Sequence, residues 1–556
     1  MPTYTNPVFD YRKPPELAGG SHKRKPVVIV GAGPVGMTAA LDLASRDVPV
    51  VILDEDNTVS IGSRAICWSK RTLEIWDRLG IAPKMMEKGV TWDRGKVFFG
   101  ESMVYDFNVL AEPFHQFPAF INLQQYHVEE ALVRRMLGIP QIDVRWKNKV
   151  VAIRPADDQV ALDIETPDGK YTLFAEWVIA ADGVRSPLRT MMGLEFPGQA
   201  FNDRFLIADV HMKVDFPTER WFWFDPPFHR GQSVLLHKQA DDVWRIDFQL
   251  GSQADPELER REERVTPRLR AMLGEKITFA YEWLSVYSFN CRCMDKFNHG
   301  RVLFAGDAAH VVSPFGARGG NTGVADADNL VWKLALVIDG QASTKLLDSY
   351  STERVPAARE NIEHSTRSTD FITPKSPASL AFRDAALSLA ADMPFARAFV
   401  NSGRLSHPST YADSPLNTPD SAADEWPGGV PPGAPAIDAP VSGGSDLGWL
   451  LDRLGGRFTL MMFARDAEDV AEQVNNAAST LFVAGKPLAV LVVVQKREAS
   501  STGQPVAKDS EDAIVRRYDM KPGTCYLIRP DQYVVGRWRQ YDAGKVARAL
   551  KRVLGA

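Results

Sequence analysis

The chain has 556 residues, 45% of them hydrophobic and 24% charged, with a formal net charge of -5. That length exceeds one ordinary core and implies two or three domains, and the balanced charge leaves no global attraction to nucleic acid or an anionic membrane. No window approaches the roughly 18 uncharged apolar residues of a membrane span, and no charged-then-apolar leader is read at the start.

The four cysteines, Cys67, Cys291, Cys293 and Cys525, include no CxxC pair, and Cys291-x-Cys293 has no second pair at zinc spacing. No metal is expected, and unpaired thiols point to a reducing cytoplasm.

The basic run SHKRK at 21–25 reads as a solvated lead-in. Residues 25–56 combine a β-branched run (27–30), a glycine turn, an apolar-periodic helix and a second β-branched run (50–53), the pattern of a βαβ unit. Residues 68–90 read as a helix with Trp68, Leu73, Ile75, Trp76 and Leu79 at apolar positions and Gly80 as its stop. Another helix is expected over 124–137. Strand-like runs fill 141–181. An aromatic-rich sheet at 205–250 then interrupts the nucleotide-binding pattern, which resumes at 301–310, so the first domain reads as discontinuous. Helical periodicity occupies about 320–404. Residues 406–446, rich in Pro, Ser, Ala, Asp and Gly, read as too polar to hold a core and as an extended linker. Beyond them 447–556 alternates strands and helices.

Between the first strand and its helix stands Gly31-Ala32-Gly33-Pro34-Val35-Gly36. The first glycine permits a tight turn, the second lets a pyrophosphate approach the backbone, and the third allows close helix–strand packing at a helix end that favours anions. Asp54 and Glu55 end the second strand about 20 residues on, where such folds bind a ribose hydroxyl. These features predict a dinucleotide site without separating NAD from FAD.

Further segments follow in order: Ser63-Arg64-Ala65 before a helix, Gln125 and Glu129 on the next, and Ala181-Asp182-Gly183 at a strand end. The fullest is Arg301 to His310, with Gly306-Asp307, continuing through Pro314, Gly316, Gly319, Gly320 and Asn321. With these motifs spread over roughly 25–365, the chain resembles the flavoprotein aromatic hydroxylases, the class A FAD-dependent monooxygenases. Its nearest likeness is to the phenol-type branch typified by 3-(3-hydroxyphenyl)propionate hydroxylase.

The resemblance implies an α/β protein: a Rossmann-like FAD-binding domain (1–365) with an antiparallel substrate sheet inserted at about 90–120 and 190–290, then a helical segment and linker (366–446). A thioredoxin-like domain without CxxC (447–556) completes it. Arg64 would lie along the dinucleotide phosphates, a task suited to a guanidinium, and Gln125 would reach the flavin. Asp182 would serve both FAD and the nicotinamide, and Asp307 the ribityl chain. The Pro314–Gly323 stretch would pass the flavin ring, with glycines allowing close backbone approach and backbone N–H groups stabilising negative charge on the reduced flavin. One departure from the pattern is Arg318 in this loop. His310 reads as structural, and Trp332 and Lys333 as helix packing.

The implied reaction is hydroxylation of a hydroxy- or amino-substituted ring with NADH or NADPH and O2, through a flavin C4a-hydroperoxide. The alternative is an FAD oxidase or dehydrogenase that inserts no oxygen. Partners would be a small aromatic substrate and O2, with a structural or subunit-contact role for the tail in a homodimer. The base near the phenol is open: Trp223, His237, Arg245, Asp247 and Tyr287 are the candidates. On 243–250 Arg245, Asp247 and Gln249 share one face and Trp244, Ile246 and Phe248 the other; either could meet the substrate. The run Trp221-Phe222-Trp223-Phe224 would suit a ring.

Overall fold

The computed structural model describes residues 4–19, 23–62, 64–400, 405, 407–443, 446–497 and 503–555. Of the features singled out above, Ser21, His22 and Ser63 lie outside these residues, as do 401–404, 406, 444 and 445. No helix among the described residues is long and apolar enough to cross a membrane.

The β-branched runs pair as their pattern requires. Lys25–Val30 sits between Val50–Leu53 and Gly169–Ala180, both parallel to it, and Val302–Phe304 adds alongside Gly169–Ala180. The sheet runs 298–299, 302–304, 169–180, 25–30, 50–53 and 142–145, with the strands 149–155 and 160–166 folded onto 169–180 as an antiparallel extension. Val27, Val28 and Ile29 are fully buried, as the middle of a sheet covered on both faces demands.

A second eight-stranded sheet takes its strands from 94–108, 198–293 and 310–311, in the order 310–311, 280–293, 198–211, 243–250, 233–238, 220–224, 94–99 and 102–108. Strand alternation divides it into two faces. On one face Leu206, Ala208, Val234, Leu236, Trp244, Ile246 and Phe248 pack with Val265 and Leu269 of the helix Glu262–Leu273. That cover turns the opposite face, with Arg245 and Asp247, toward the first sheet.

Two expectations are corrected. The single helix read over 68–90 is two, Lys70–Arg78 and Ala82–Lys88, with Trp68 in the short strand Cys67–Ser69 before them. Gly80, at φ 73°, makes the left-handed turn between them. The stretch 406–446, read as too polar for a core, supplies Val430, Ala434, Ala436 and Ala439 to a buried cluster with Leu450, Phe463 and Tyr526. Its sparse apolar residues suffice because the chain wraps the neighbouring sheet and adds the strand Pro440–Gly443 to it.

That third sheet runs 446–449, 440–443, 506–509, 489–497, 459–466, 525–528 and 534–538. Thr459–Asp466, the helix Ala471–Thr480 and Ala489–Arg497 form a parallel βαβ unit; Cys525–Ile528, Val534–Trp538 and the helix Ala543–Leu554 follow as an antiparallel pair and helix. Trp332 and Leu346 pack into this unit's core beside Phe458. Between the units lies a buried charge network: Glu353 accepts from Arg529 Nη1 and Nη2 (2.5 and 3.0 Å), from Lys333 Nζ (2.7 Å) and from Ser414 Oγ (2.5 Å). Lys333, read as helix packing, instead carries its ammonium into this network.

Candidate active site and cofactor cleft

The two larger sheets face each other across a cavity of about 420 Å³. At one end stand the glycine loop, Arg64, Gln125 and Asp307; at the other, Phe205, Ile207, Leu235, His237, Arg245 and Asp247.

The glycines act as their spacing predicts. A Cβ on Gly31 would lie 2.3 Å from the Ala181 carbonyl oxygen, and one on Gly36 2.0 Å from the Gly31 oxygen. One on Gly33 would meet nothing within 4 Å: the space before it is open to a ligand. Gly33 leads into the helix Pro34–Ser45, whose N-terminus has no side-chain cap, leaving its end N–H groups for an anion.

The acidic pair at the second strand's end sits differently. Asp54 accepts from Ala32 N (2.7 Å) and Asp56 N (2.8 Å), bracing the glycine loop, and Glu55 pairs with Lys149 (2.9 Å). Neither lines the cavity.

Gln125 lines it, but its amide braces the preceding loop: Oε1 accepts from Ala65 N (3.1 Å) and Nε2 donates to Glu129 (2.7 Å). Asp182 does not line it; its carboxylate accepts from Ser186 Oγ (2.7 Å) and Leu188 N (3.0 Å), holding the turn whose Ala181 and Gly183 do.

Asp307 is exposed on the cavity wall, and desolvation by the surrounding protein raises its carboxyl above the usual range, opposed by nearby His310 and Arg64. Gly306 adopts φ 63° against Val35, whose Cγ2 would lie 2.9 Å from a Cβ there. His310 is buried with Nε2 2.6 Å from Asp326, the structural role expected.

Pro314, Gly319, Gly320 and Asn321 line the cavity, and the last three begin the uncapped 20-residue helix Gly319–Ile338. Gly316 turns away, toward a neighbouring apolar recess. The Asn321 side chain is committed to protein: Oδ1 accepts from Ser69 N (2.9 Å) and Thr72 Oγ1 (2.7 Å), and Nδ2 donates to the Cys67 and Ala317 oxygens. Its backbone N–H is the group left to face a ligand.

Four of the five candidates for the substrate base line the cavity: His237, Arg245, Asp247 and Tyr287. Trp223 does not. It pairs with Val234 on the helix-covered face and stacks on Phe98 at 5.1 Å. Of the aromatic run, Phe222 and Phe224 line the neighbouring recess instead.

Arg245 donates from Nε and Nη2 to Asp209 (both 2.7 Å), a buried bidentate pair. Tyr287 is 36% exposed, opening onto the cavity, yet desolvation by the surrounding protein raises its hydroxyl to about 12. Arg220, unremarked in the sequence, also lines the wall. Its signal was there: it shares strand parity with Phe222 and Phe224, a lone charge on an otherwise aromatic face.

Burial holds the His237 imidazole down at about 4 against an ordinary 6.5, with Arg220 and Arg245 opposing its charge and Asp247 favouring it. An unfolded chain binds this proton first as pH falls, so stability is intact above pH 6.5 and declines toward pH 4. About 2 kcal/mol should be lost between pH 7 and 5 through this group. Urea titrations of wild type and His237→Leu at both pH values check it: the loss should shrink by that amount in the variant.

The FAD binding domain family model matches residues 24–365, and the chain belongs to that family. It is a class A flavoprotein monooxygenase, an enzyme of the aromatic-hydroxylase kind with FAD as its cofactor. The chain is 30% identical to 6-methylpretetramide 4-monooxygenase of Streptomyces rimosus, over 94% of this chain and 92% of that one. It is 25% identical to a 3-(3-hydroxy-phenyl)propionate/3-hydroxycinnamic acid hydroxylase of Mycolicibacterium smegmatis (strain ATCC 700084 / mc(2)155), over 95% and 93%. The crystal structure of the flavin-dependent monooxygenase PieE with FAD and substrate shares the fold at TM-score 0.80 and 22% identity, covering 96% of this chain and 99% of that one.

The cleft fits FAD. Open space before Gly33, two uncapped helix ends, Arg64 and the cavity-facing Asp307 match a diphosphate and a polyol chain.

Proposed function

We propose that the enzyme hydroxylates a phenol-like ring carrying a hydroxyl or amino group, using NAD(P)H and O2. The observation that carries this reading is the cavity itself. Its flavin-side loops face an aromatic slot of Phe205, Tyr287, Phe289 and Phe315, into which His237, Arg245 and Asp247 also project. The names of the two relatives, one a 4-monooxygenase and one a hydroxyphenyl-acid hydroxylase, support the same class of ring.

Bound FAD would supply the exchange of electrons between NAD(P)H and O2. The diphosphate would be held by Arg64 and the first turn of Pro34–Ser45, the sugar chain by Asp307, and the ring by the backbone of Pro314 and Gly319–Asn321. The aromatic wall excludes water from the reacting ring. The Arg245–Asp209 pair fixes the polar floor without adding net charge.

Purified enzyme should consume NAD(P)H and O2 in step with a phenol, and the product should carry one atom from labelled O2. Hydrogen peroxide as the only oxygen product across phenols, anilines and hydroxypyridines would overturn the reading in favour of an oxidase.

We read the C-terminal unit as thioredoxin-like, supported by its βαβ unit followed by an antiparallel pair and helix. Its role is structural, since Cys525 is its lone cysteine and a single thiol cannot perform dithiol exchange. We place the enzyme in the cytoplasm, on its four buried, unpaired thiols.

A further inference from the structure

His237 stands apart from the other buried polar groups of the cavity wall. It is 3% exposed, and neither ring nitrogen has a hydrogen-bond partner among the described residues. Asp247 Oδ2 approaches Nε2 only to 3.7 Å, too far for a hydrogen bond. By contrast His310 is bonded to Asp326, and His229 to the Gln249 carbonyl (2.7 Å). On the adjoining strand Arg220 has a buried, unpartnered Nη1, and both residues face the same cavity. Unmade hydrogen bonds of this kind are costly and rare. Three such atoms on two neighbouring residues of one cavity wall point to a ligand that completes them.

We propose that His237 is a catalytic residue: it accepts the ring hydroxyl of the substrate and takes its proton as oxygen is transferred, while Arg220 stabilises the oxygen left behind. The inference rests on the hydroxylase reading and deepens it by naming where the hydroxyl docks. The phenol O–H bond breaks and an imidazole N–H bond forms, and the oxygen's electron pair is released into the ring. The ring carbon bonds an oxygen atom from O2; the other atom leaves as water, with two electrons from NAD(P)H. The imidazolium then returns its proton to the ring oxygen as the new C–O carbon loses its hydrogen to solvent, restoring the aromatic ring.

The groups facing His237 are Arg220 on its neighbouring strand, Arg245 and Asp247 on the other, and Cys67 across the cavity. Burial keeps the imidazole neutral at pH 7 and a weak base. Such a base leaves a resting phenol unionised, and it suffices during transfer, when electron loss from the ring makes the O–H strongly acidic. Arg245 is neutralised by Asp209 and positions the strand beside His237.

The test uses FAD-loaded enzyme and 3-hydroxyphenylpropionate or 3-hydroxycinnamate, whichever perturbs the flavin spectrum. His237→Gln keeps an acceptor that cannot carry a proton; its kcat for labelled product should fall about 100-fold while KM stays near wild type. His237→Phe removes the acceptor, and Kd from the flavin difference spectrum should rise about 10-fold with FAD content unchanged. Imidazole added to His237→Ala should restore product formation. Unchanged kcat in His237→Gln, or unchanged Kd in His237→Phe, overturns the proposal. Should wild type yield only hydrogen peroxide, the hydroxylase reading fails, and the Kd comparison still decides whether the phenol docks on His237.

Discussion

Replacing Glu353 with leucine should destabilise the protein by about 3–5 kcal/mol, the usual result of removing one partner from a buried ion pair. Glu353 is 2% exposed and engages Arg529, Lys333, Asn329 and Ser414 at once. Arg529 also holds Asp531 (2.9 and 2.6 Å), so it keeps one carboxylate when Glu353 is lost; Lys333 keeps only Asn329 (2.8 Å). The nearby cations hold the Glu353 carboxyl well below the ordinary range despite its burial. A depressed folded-state pKa contributes stability that is present above the unfolded value of 4.5 and is lost as pH falls below it. Urea unfolding of the FAD-loaded enzyme at pH 7 reads the first effect. A loss under 1 kcal/mol would show that water enters and solvates the stranded cations. Lys333→Met in the Glu353→Leu background should recover part of the loss.

Asp307→Ala should strip the enzyme of its cofactor. The carboxylate lines the cavity next to Gly306, whose left-handed φ of 63° shapes the turn that presents it. Losing charged hydrogen bonds to a bound polyol should weaken FAD binding about 10- to 100-fold. The ratio of flavin to protein absorbance after purification and a fluorescence titration of the apoprotein both measure this. Asp307→Asn, which keeps one acceptor, should fall between. Full flavin occupancy in the alanine variant would remove Asp307 from the cofactor's contacts.

Much of this site was legible in the sequence because glycines and strand ends have local causes. The turn at 31–36 and the loop at 306–323 could be read from positions where a side chain would collide or a helix must begin. The cofactor reading followed from their order along the chain. What escaped was set by tertiary contact. The two faces of 243–250 are chemically distinct in the sequence, but only the docking of Glu262–Leu273 decides which is covered. Asp54, Asp182 and Asn321 carry the expected residue types, yet spend their side chains on backbone and neighbouring hydroxyls. Arg220 marks an otherwise aromatic face in the sequence, but its place beside His237 comes only from the pairing of 220–224 with 233–238. The break at Gly80 was visible, while the second helix after it rests on Ala82 and Met85 packing inward.

The first sheet places Val302–Phe304 beside Gly169–Ala180, which itself lies beside Lys25–Val30. During synthesis the opening βαβ segment therefore emerges long before its lateral neighbours. The strands of the second sheet up to Cys293 must leave the ribosome before the nucleotide site can close. Contacts of such sequence separation form slowly, and a half-finished parallel sheet with bare edges is prone to aggregate. Yield on expression should accordingly depend on translation speed and chaperone supply across 169–304, and ribosome-bound chains ending before residue 302 should not yet retain FAD.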